Sequence, residues 1–292
     1  MIGEILNKTR KAKGLTAQQM ADYLNINLRS YRAYESNDRQ PSLEILIKIA
    51  GNLAVTTDYL LGRVYMMDCF DSYFNNIHFV VNDINTDDSS FVFILESPHT
   101  NELKEGYPLA GESGIDAANF LGLTDSNYKN LAGVSLGEIA KKNNCGINII
   151  NICRVPLKLT TKAKAYYQNY ENSTEYLECI KSLTRIKNGF ESFGNHNESY
   201  LNDIEEQILT CFATRLSSIA PNDSVTNIIV CGKFAEKYYK KPSLKCRMPK
   251  GCYRTFIVPH PSRDLWETNK NHAHLNQVKQ LLNAHIKQIG IT

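Results

Sequence analysis

The chain has 292 residues, of which 42% are hydrophobic and 22% charged, a composition typical of a folded globular protein. No apolar run approaches the roughly 18–20 residues of a membrane span, and the N-terminus lacks an apolar signal core, which predicts a cytoplasmic protein with no membrane partner. Eight cysteines without tight disulfide spacing predict a reduced chain. The net charge of +3 lies in residues 1–65, which hold nine Lys and Arg against six Asp and Glu and so favour a polyanionic partner.

The first 61 residues predict five helices joined by short turns. Gly14 is typical of a residue that ends a helix, and Thr16 followed by Gln19 is a capping-box pattern at the start of the next one. The predicted helices are Ile2–Lys13, Ala17–Leu24, Leu28–Ser36, Leu43–Leu53 and Thr57–Leu61. The second and third are short and joined by a three-residue turn, which is the arrangement of a helix-turn-helix unit.

Residues 15–62 resemble the phage-repressor (Cro/C1, XRE-type) helix-turn-helix family over almost their whole length. The matching positions include Leu15, Thr16, Ala21, Leu24, Ser30, Tyr34, Glu35, Pro41, Ser42, Ala50, Leu53, Val55, Asp58 and Leu60. Asn25 stands where the family usually has Gly, and Asn tolerates a left-handed turn.

The resemblance implies that Leu28–Ser36 is the recognition helix of a DNA-binding domain. By it, the base edges would meet Leu28, Arg29, Arg32 and Ala33, and the phosphates would meet Gln18, Asn37 and Arg39. The alternative interpretation is a helical protein-interaction module with a solvated basic face.

Residues 63–74 are rich in aromatic and Met side chains, which indicates a packed connection between two domains, 1–65 and 70–292. In the second domain apolar strands alternate with helices, which predicts an α/β three-layer domain with a mostly parallel central sheet. The predicted strands are Ile77–Val81, Phe91–Leu95, Ile147–Ile152, Asn227–Cys231 and Thr255–Val258. The predicted helices are Gly114–Leu121, Ser135–Lys142, Tyr200–Ile219, Lys233–Tyr239 and His272–Ile289. A polar insertion, residues 158–202, predicts further helices that would serve as a lid or clamp.

Polar and backbone-kinking residues follow several of these strands, where an open α/β sheet builds its site. Five such segments occur in order: LESPH at 95–99, GYPLAGESG at 106–114, IINICR at 149–154, IVCGKFA at 229–235 and HPS at 260–262. They resemble the motifs of the uracil-DNA glycosylase superfamily, over about residues 70–292.

The resemblance implies hydrolysis of an N-glycosidic bond, which passes through an oxocarbenium-like state. A carboxylate near the sugar stabilises that cation, a role assigned to Glu96 with Glu102 as second candidate. His260 would donate to the departing base, and Asn151 would read its Watson–Crick edge. In the alternative, Glu96 caps a helix or pairs with Arg154, His260 orders its loop, and Asn151 forms a turn.

The same resemblance assigns further residues to the two sides of a flipped nucleotide. The base side would include Ser97, His99, Tyr107 and Leu109, and the backbone and vacated stack would meet Pro98, Gly111, Ser262, Arg263 and Leu265. Leu95, Ser97, His99 and Leu109 depart from the family pattern, and Leu109 replaces the aromatic that stacks on the base, although Tyr107 or Phe120 would be a substitute. These departures predict either a modified base as substrate or a loss of activity.

No metal or other cofactor is expected. One branch of the glycosylase superfamily binds an iron–sulfur cluster through four cysteines, and Cys153 and Cys211 fall where two of those ligands would lie. The upstream C-x-x-C that would complete the set is missing. Cys246 and Cys252 have a poor spacing for zinc.

The sequence therefore predicts a bacterial or phage-derived DNA glycosylase that flips and excises uracil or a modified base, directed by its helix-turn-helix and acting in defence against phage DNA. The alternative is a helix-turn-helix transcriptional repressor whose glycosylase-like domain is a non-catalytic sensor or partner-binding module. The expected partners are DNA and, for the repressor, a second copy of the chain.

Overall fold

Short helices with polar caps form the first of two units in the computed structural model, which divides into residues 1–71 and 72–292. The structure describes residues 2–87, 89–124, 131–171, 173–189, 199–219, 225–245, 252–262 and 265–290. Within these ranges no helix is both long enough and apolar enough to span a bilayer.

The first unit contains five helices, and a sixth continues into the second unit. They are α1 (Ile2–Ala12), α2 (Ala17–Tyr23), α3 (Leu28–Glu35), α4 (Leu43–Leu53), α5 (Thr57–Leu60) and α6 (Arg63–Asn75). The five predicted helices are confirmed to within two residues at either end. The capping box at Thr16 and Gln19 is also confirmed, and Asn25 adopts a left-handed φ of 52°.

Apolar side chains from all five helices form the core of this unit, among them Leu6, Met20, Tyr31 and Leu53. Close packing of α1 on α3 requires a glycine, because a Cβ at Gly3 would lie 2.4 Å from the carbonyl oxygen of Glu35. The helix-turn-helix pair is therefore held on a compact apolar base.

A four-stranded parallel sheet organises the second unit. Its strands are β1 (Phe91–Leu95), β2 (Ile147–Asn151), β3 (Thr226–Cys231) and β4 (Tyr253–Val258), in the order β2-β1-β3-β4. Every residue of β1, β2 and β3 is buried, so both faces of the sheet are covered, as is usual for parallel sheets. The prediction of an α/β domain with a mostly parallel sheet is confirmed at this level.

Ten helices are described around the sheet. They are α7 (Thr100–Glu105), α8 (Glu112–Leu121), α9 (Leu136–Asn143), α10 (Thr161–Tyr167), α11 (Ser173–Asn188), α12 (Ser199–Ser218), α13 (Lys233–Tyr239), α14 (Pro242–Lys245), α15 (Leu265–Thr268) and α16 (Ala273–Ile289). Helices α10 and α11 lie in the insertion predicted at 158–202. The single tryptophan, Trp266, is buried in the core formed by β1, β4, α8 and α16.

The predicted strand at Ile77–Val81 is wrong. This segment forms turns, in which Ile77 is exposed and Phe79 is buried among the rings of Tyr167, Tyr170 and Tyr176. Long-range aromatic packing decides its conformation, and local apolar alternation does not. Only Ile84, further along, forms an isolated antiparallel bridge, with Ile149 at the edge of the sheet.

Candidate functional site

Helix α3 presents a basic face and buries an aromatic one. Tyr31 and Tyr34 point into the core, whereas Arg29 and Arg32 are exposed. Asn27 accepts a hydrogen bond from the amide of Ser30 at 2.7 Å and so fixes the start of the helix. Leu28 and Ala33 are half-buried, and Gln18 and Arg39 are exposed. Two guanidinium groups on one exposed helix face are suited to phosphates and to guanine edges.

A buried ion pair that sequence reasoning missed joins α1 to α3. Arg10 Nε donates to Glu35 Oε1 at 2.6 Å, and a second guanidinium nitrogen reaches Oε2 at 3.0 Å. Burial raises the pKa of Glu35, but hydrogen bonds from Arg10 and Asn7 outweigh it and the net pKa is lowered. The predicted phosphate ligand Asn37 belongs to the same support, because its Oδ1 accepts from the amide of Gly3 at 2.8 Å.

A cavity of about 450 Å³ lies at the carboxyl ends of the strands in the second unit. The chain runs from β1 outward to β2 on one side and from β3 to β4 on the other, so the strand order reverses between β1 and β3, where open α/β sheets bind ligands. The residues that line the cavity are Leu95, Ser97, His99, Thr100, Asn101, Glu102, Leu109, Gly111, Glu112, Ser113, Asn151, Thr160, Thr161, Lys162 and His260. Seven residues to which the glycosylase resemblance assigned site roles therefore share one cavity: Ser97, His99, Glu102, Leu109, Gly111, Asn151 and His260.

Asn151 lies at the end of β2 with its side chain buried in the cavity wall. Only 1% of the residue is exposed, and neither its Oδ1 nor its Nδ2 has a hydrogen-bond partner. Burying an amide without partners costs free energy, and such groups are rare in folded proteins. Both amide atoms are therefore available to a molecule in the cavity that offers one donor and one acceptor side by side.

His260 offers a donor to the same cavity. The amide of Ser262 donates to His260 Nδ1 at 3.2 Å, so the proton of the neutral ring sits on Nε2. Burial of the ring lowers the pKa of His260 to about 4, which keeps it neutral at pH 7. Pro259, the residue before His260, is held in place by Trp266, whose Nε1 donates to the Pro259 carbonyl at 2.8 Å.

Glu102 connects the two ends of the loop that forms one cavity wall. Its Oε2 accepts from the amide of His99 and its Oε1 from the amide of Leu109, both at 2.6 Å. Burial raises the pKa of this carboxyl to about 7, against the two backbone hydrogen bonds, which lower it. Leu109 follows with a left-handed φ of 53°. Both carboxylate oxygens are thus engaged in holding the loop.

Several residues with predicted site roles lie outside the cavity lining. Glu96 forms an ion pair with Lys187 of α11 and not with Arg154. Tyr107 packs its ring under Lys141, whose Nζ is 4.6 Å from the ring centroid, and Phe120 packs on Trp266. Pro98, Ser262 and Leu265 flank the cavity loops without lining it, and Arg263 falls outside the described residues. The lining contains no Phe, Tyr or Trp from the described part of the chain.

Sequence reasoning missed four cavity-lining residues that lie at the starts of two helices, α8 and α10. Thr160, Thr161 and Lys162 line it from the start of α10, and the exposed carboxylate of Glu112 lines it from the start of α8. Arg215 holds the end of β2 in place. It donates to the carboxylate of Asp83 and to the backbone carbonyls of Asn151 and Ile152, the latter two at 2.8 Å. Only polarity marked these residues in the sequence, and many solvated positions share it.

No group of three or more His, Cys, Asp or Glu side chains is placed to hold a metal ion in the portion of the chain that the structure describes. The polar side chains that line the cavity include Asn151, His260 and those of the Thr160–Lys162 segment.

A helix-turn-helix family model matches residues 6–60. The chain is 38% identical over 76 residues to YonR, a prophage-derived HTH-type transcriptional regulator of Bacillus subtilis, which covers 26% of this chain and 70% of YonR. It is 49% identical over 61 residues to the B. subtilis HTH-type regulator YqaE and 47% identical over 62 residues to the CTXphi transcriptional repressor RstR of Vibrio cholerae. Each of these two matches covers 21% of this chain.

The chain spans 53% of YqaE and 55% of RstR, about half of each relative's length. No solved structure matches the chain significantly. The glycosylase likeness of the second unit therefore stays a prediction.

The unpartnered amide of Asn151 should cost the apo protein stability. We expect Asn151→Leu to leave the free energy of unfolding unchanged or to raise it by up to about 1 kcal/mol. Asn148 of the same strand is the matched control, since it is buried but accepts from the amide of Thr86 at 2.7 Å. Asn148→Leu should lower the free energy by about 1–3 kcal/mol. Urea unfolding followed by Trp266 fluorescence measures both, and equal losses would contradict the assignment of Asn151.

Glu102 should give the second unit a pH-dependent stability. The pKa of the Glu102 carboxyl is about 7 in the folded state and about 4.5 in the unfolded state. The stability that its protonated form contributes to folding is therefore complete below pH 4.5 and is lost as the pH rises through 7. The difference in unfolding free energy between wild type and Glu102→Gln should therefore fall by about 2–3 kcal/mol from pH 5 to pH 8. Glu105→Gln, on the same helix but exposed, is the control. A constant difference for Glu102→Gln would disprove the shifted pKa.

Proposed function

The chain belongs to the helix-turn-helix family, and on that premise we propose that it is a DNA-binding transcriptional regulator whose α/β domain is a ligand sensor. The observation that carries the proposal is the match of residues 6–60 to the family together with the exposed guanidinium groups of α3. The relatives named as transcriptional regulators and as a phage repressor support the same function.

For the DNA-binding step, Arg29 and Arg32 enter the major groove and Leu28 and Ala33 contact base edges beside them. Gln18 and Arg39 contact phosphates at the two ends of the unit. The Arg10–Glu35 pair keeps α3 at a fixed angle on α1, so that the two arginines arrive in a preset orientation. This pair contributes to recognition without touching DNA.

For the sensing step, the cavity selects a small heterocycle with an adjacent carbonyl and N–H. Asn151 pairs with that edge through both its amide atoms, and His260 donates from Nε2 to a second carbonyl. Lys162 and Thr161 from the inserted helix contact the part of the ligand nearest the mouth. A sensor is favoured over an enzyme because Glu96 is neutralised by Lys187 and Glu102 holds the loop.

Base excision is the second candidate, and the neutral His260 opposite an unpartnered Asn151 is the observation that favours it. In that case Glu112 joins Glu96 as a candidate for the carboxylate that stabilises the sugar cation, because Glu112 lines the cavity.

Replacement of a base-reading arginine should remove sequence-specific binding. We expect Arg32→Ala to weaken binding to the selected operator by about 1–3 kcal/mol, or about fivefold to 150-fold. Lys11→Ala removes the same charge from an exposed position of α1 and should have a much smaller effect. Binding-site selection followed by gel-shift titration measures both. A wild-type protein without any sequence preference would refute the regulator.

Free ligand and base release distinguish the two interpretations of the cavity. For the sensor, free nucleobases and nucleosides should raise the free energy of unfolding reported by Trp266, by up to about 3 kcal/mol at a hundredfold excess over the dissociation constant. Asn151→Leu should abolish this rise. Duplexes with uracil or hydroxymethylcytosine should then yield no abasic sites. Abasic sites that disappear in Glu112→Gln or His260→Ala would instead establish excision and overturn the sensor.

A further inference from the structure

Helix α6 is the covalent link between the two units, and its last turn places a tyrosine in the core of the second. The helix spans Arg63–Asn75, and the first unit ends at residue 71. Tyr73 is completely buried, and its ring packs on those of Phe79 and Tyr176 at centroid distances of 5.5 and 5.9 Å. A buried phenol hydroxyl needs hydrogen-bond partners, so the partners of Tyr73 show which segments hold the end of α6.

The hydroxyl of Tyr73 takes part in two hydrogen bonds. It donates to the carbonyl oxygen of Pro156 at 3.2 Å, and it lies 2.9 Å from the hydroxyl of Tyr167. Each hydroxyl carries one proton and a carbonyl only accepts, so Tyr167 is the donor to Tyr73. The end of α6 is therefore held by two segments that are distant from it in the sequence.

Both of these segments reach the ligand cavity. The peptide group that joins Pro156 to Leu157 donates its N–H to the Oγ of Ser97 at 3.4 Å, and Ser97 lines the cavity. Because a peptide group is planar, its N–H and its carbonyl move together. Tyr167 is the last residue of α10, a helix of seven residues whose first two line the same cavity. One peptide group and one short helix thus connect the cavity wall to the Tyr73 hydroxyl.

A ligand would contact the chain on both sides of Pro156. Asn151 lies before it and Thr160 after it, and both line the cavity. The side-chain amide of Asn151 is buried without a hydrogen-bond partner, so its polar contacts form only with a bound molecule. A molecule that bridges Asn151 and Thr160 fixes the chain between them, and it fixes the start of α10 as well. Filling the cavity therefore acts on both partners of the Tyr73 hydroxyl.

We propose that the Tyr73 hydroxyl couples ligand binding in the cavity to DNA binding, because it passes the positions of Pro156 and Tyr167 to the end of α6. The inference rests on the proposed sensor and names the side chain through which the sensor acts. Tyr73 does not line the cavity, so it is a positioning residue. Its effect is on the coupling between the two binding events and not on either affinity alone.

Gel-shift titration of the full chain on its selected operator, with and without uridine, tests the coupling. Uridine carries the row of carbonyl, N–H and carbonyl that suits Asn151 and His260. In the wild type, saturating uridine should change the operator dissociation constant at least about fivefold, and operator DNA should change the uridine dissociation constant by the same factor. Tyr73→Phe removes the hydroxyl and keeps the ring, so both factors should fall below about twofold. Its affinity for uridine without DNA should match that of the wild type.

Two further variants test the arrangement of the hydrogen bonds. Tyr166→Phe is the matched control on α10, because the Tyr166 hydroxyl donates to the carbonyl of His78, outside α6, at 3.2 Å. It should keep the wild-type coupling factor. Tyr167→Phe breaks only the connection through α10 and should lose part of the factor, which also tests the proposal if Tyr73→Phe fails to fold. Full coupling in Tyr167→Phe, or an equal loss in Tyr166→Phe, overturns the proposal.

The same titrations separate failure of the coupling from failure of the sensor. A folded Tyr73→Phe that responds to uridine as the wild type does rejects the coupling and leaves the sensor standing. A wild type that binds its operator with an affinity that uridine does not change rejects both. Loss of uridine binding itself in Tyr73→Phe would show that Tyr73 only maintains the cavity, and it would also overturn the proposal.

Discussion

The cavity of the second unit depends on one buried carboxylate. Glu102 binds the amides at the two ends of its loop, so that residues 99–109 close on themselves. The left-handed turn at Leu109 then directs its carbonyl toward α8 and α9, where glycines are required. A Cβ at Gly114 would lie 1.9 Å from the carbonyl oxygen of Leu109, and one at Gly137 would lie 2.0 Å from that of Pro108. Loop, helices and cavity wall are therefore fixed together.

Local signals made much of the fold predictable. The caps at Thr16 and Asn27, the helical periodicity of the first unit and the apolar strands of the second are all encoded within a few residues of where they act. The convergence of strand-end residues followed from the geometry of parallel sheets, whose carboxyl ends share one edge. Helix ends were off by one or two residues, as is common where the last turn frays.

Long-range pairs were not predictable from one sequence. Arg10 pairs with Glu35, 25 positions away in the sequence, and Lys187 pairs with Glu96, 91 positions away. The residues around each of these side chains do not indicate which residue is its partner. The same limit explains the error at residues 77–81, whose apolar pattern was read as a strand while distant tyrosines bury Phe79. Ionic and aromatic contacts of this kind decide which predicted site residues remain available for chemistry.

The Glu96–Lys187 pair has a consequence for how the protein's activity could change over evolutionary time. Lys187 belongs to inserted helix α11, whereas Glu96 belongs to the strand end of the sheet itself. A substitution at Lys187 can thus release the Glu96 carboxylate from its counter-ion without any substitution in the sheet. The charge at this strand end is therefore open to change through a helix that lies 91 positions away in the sequence.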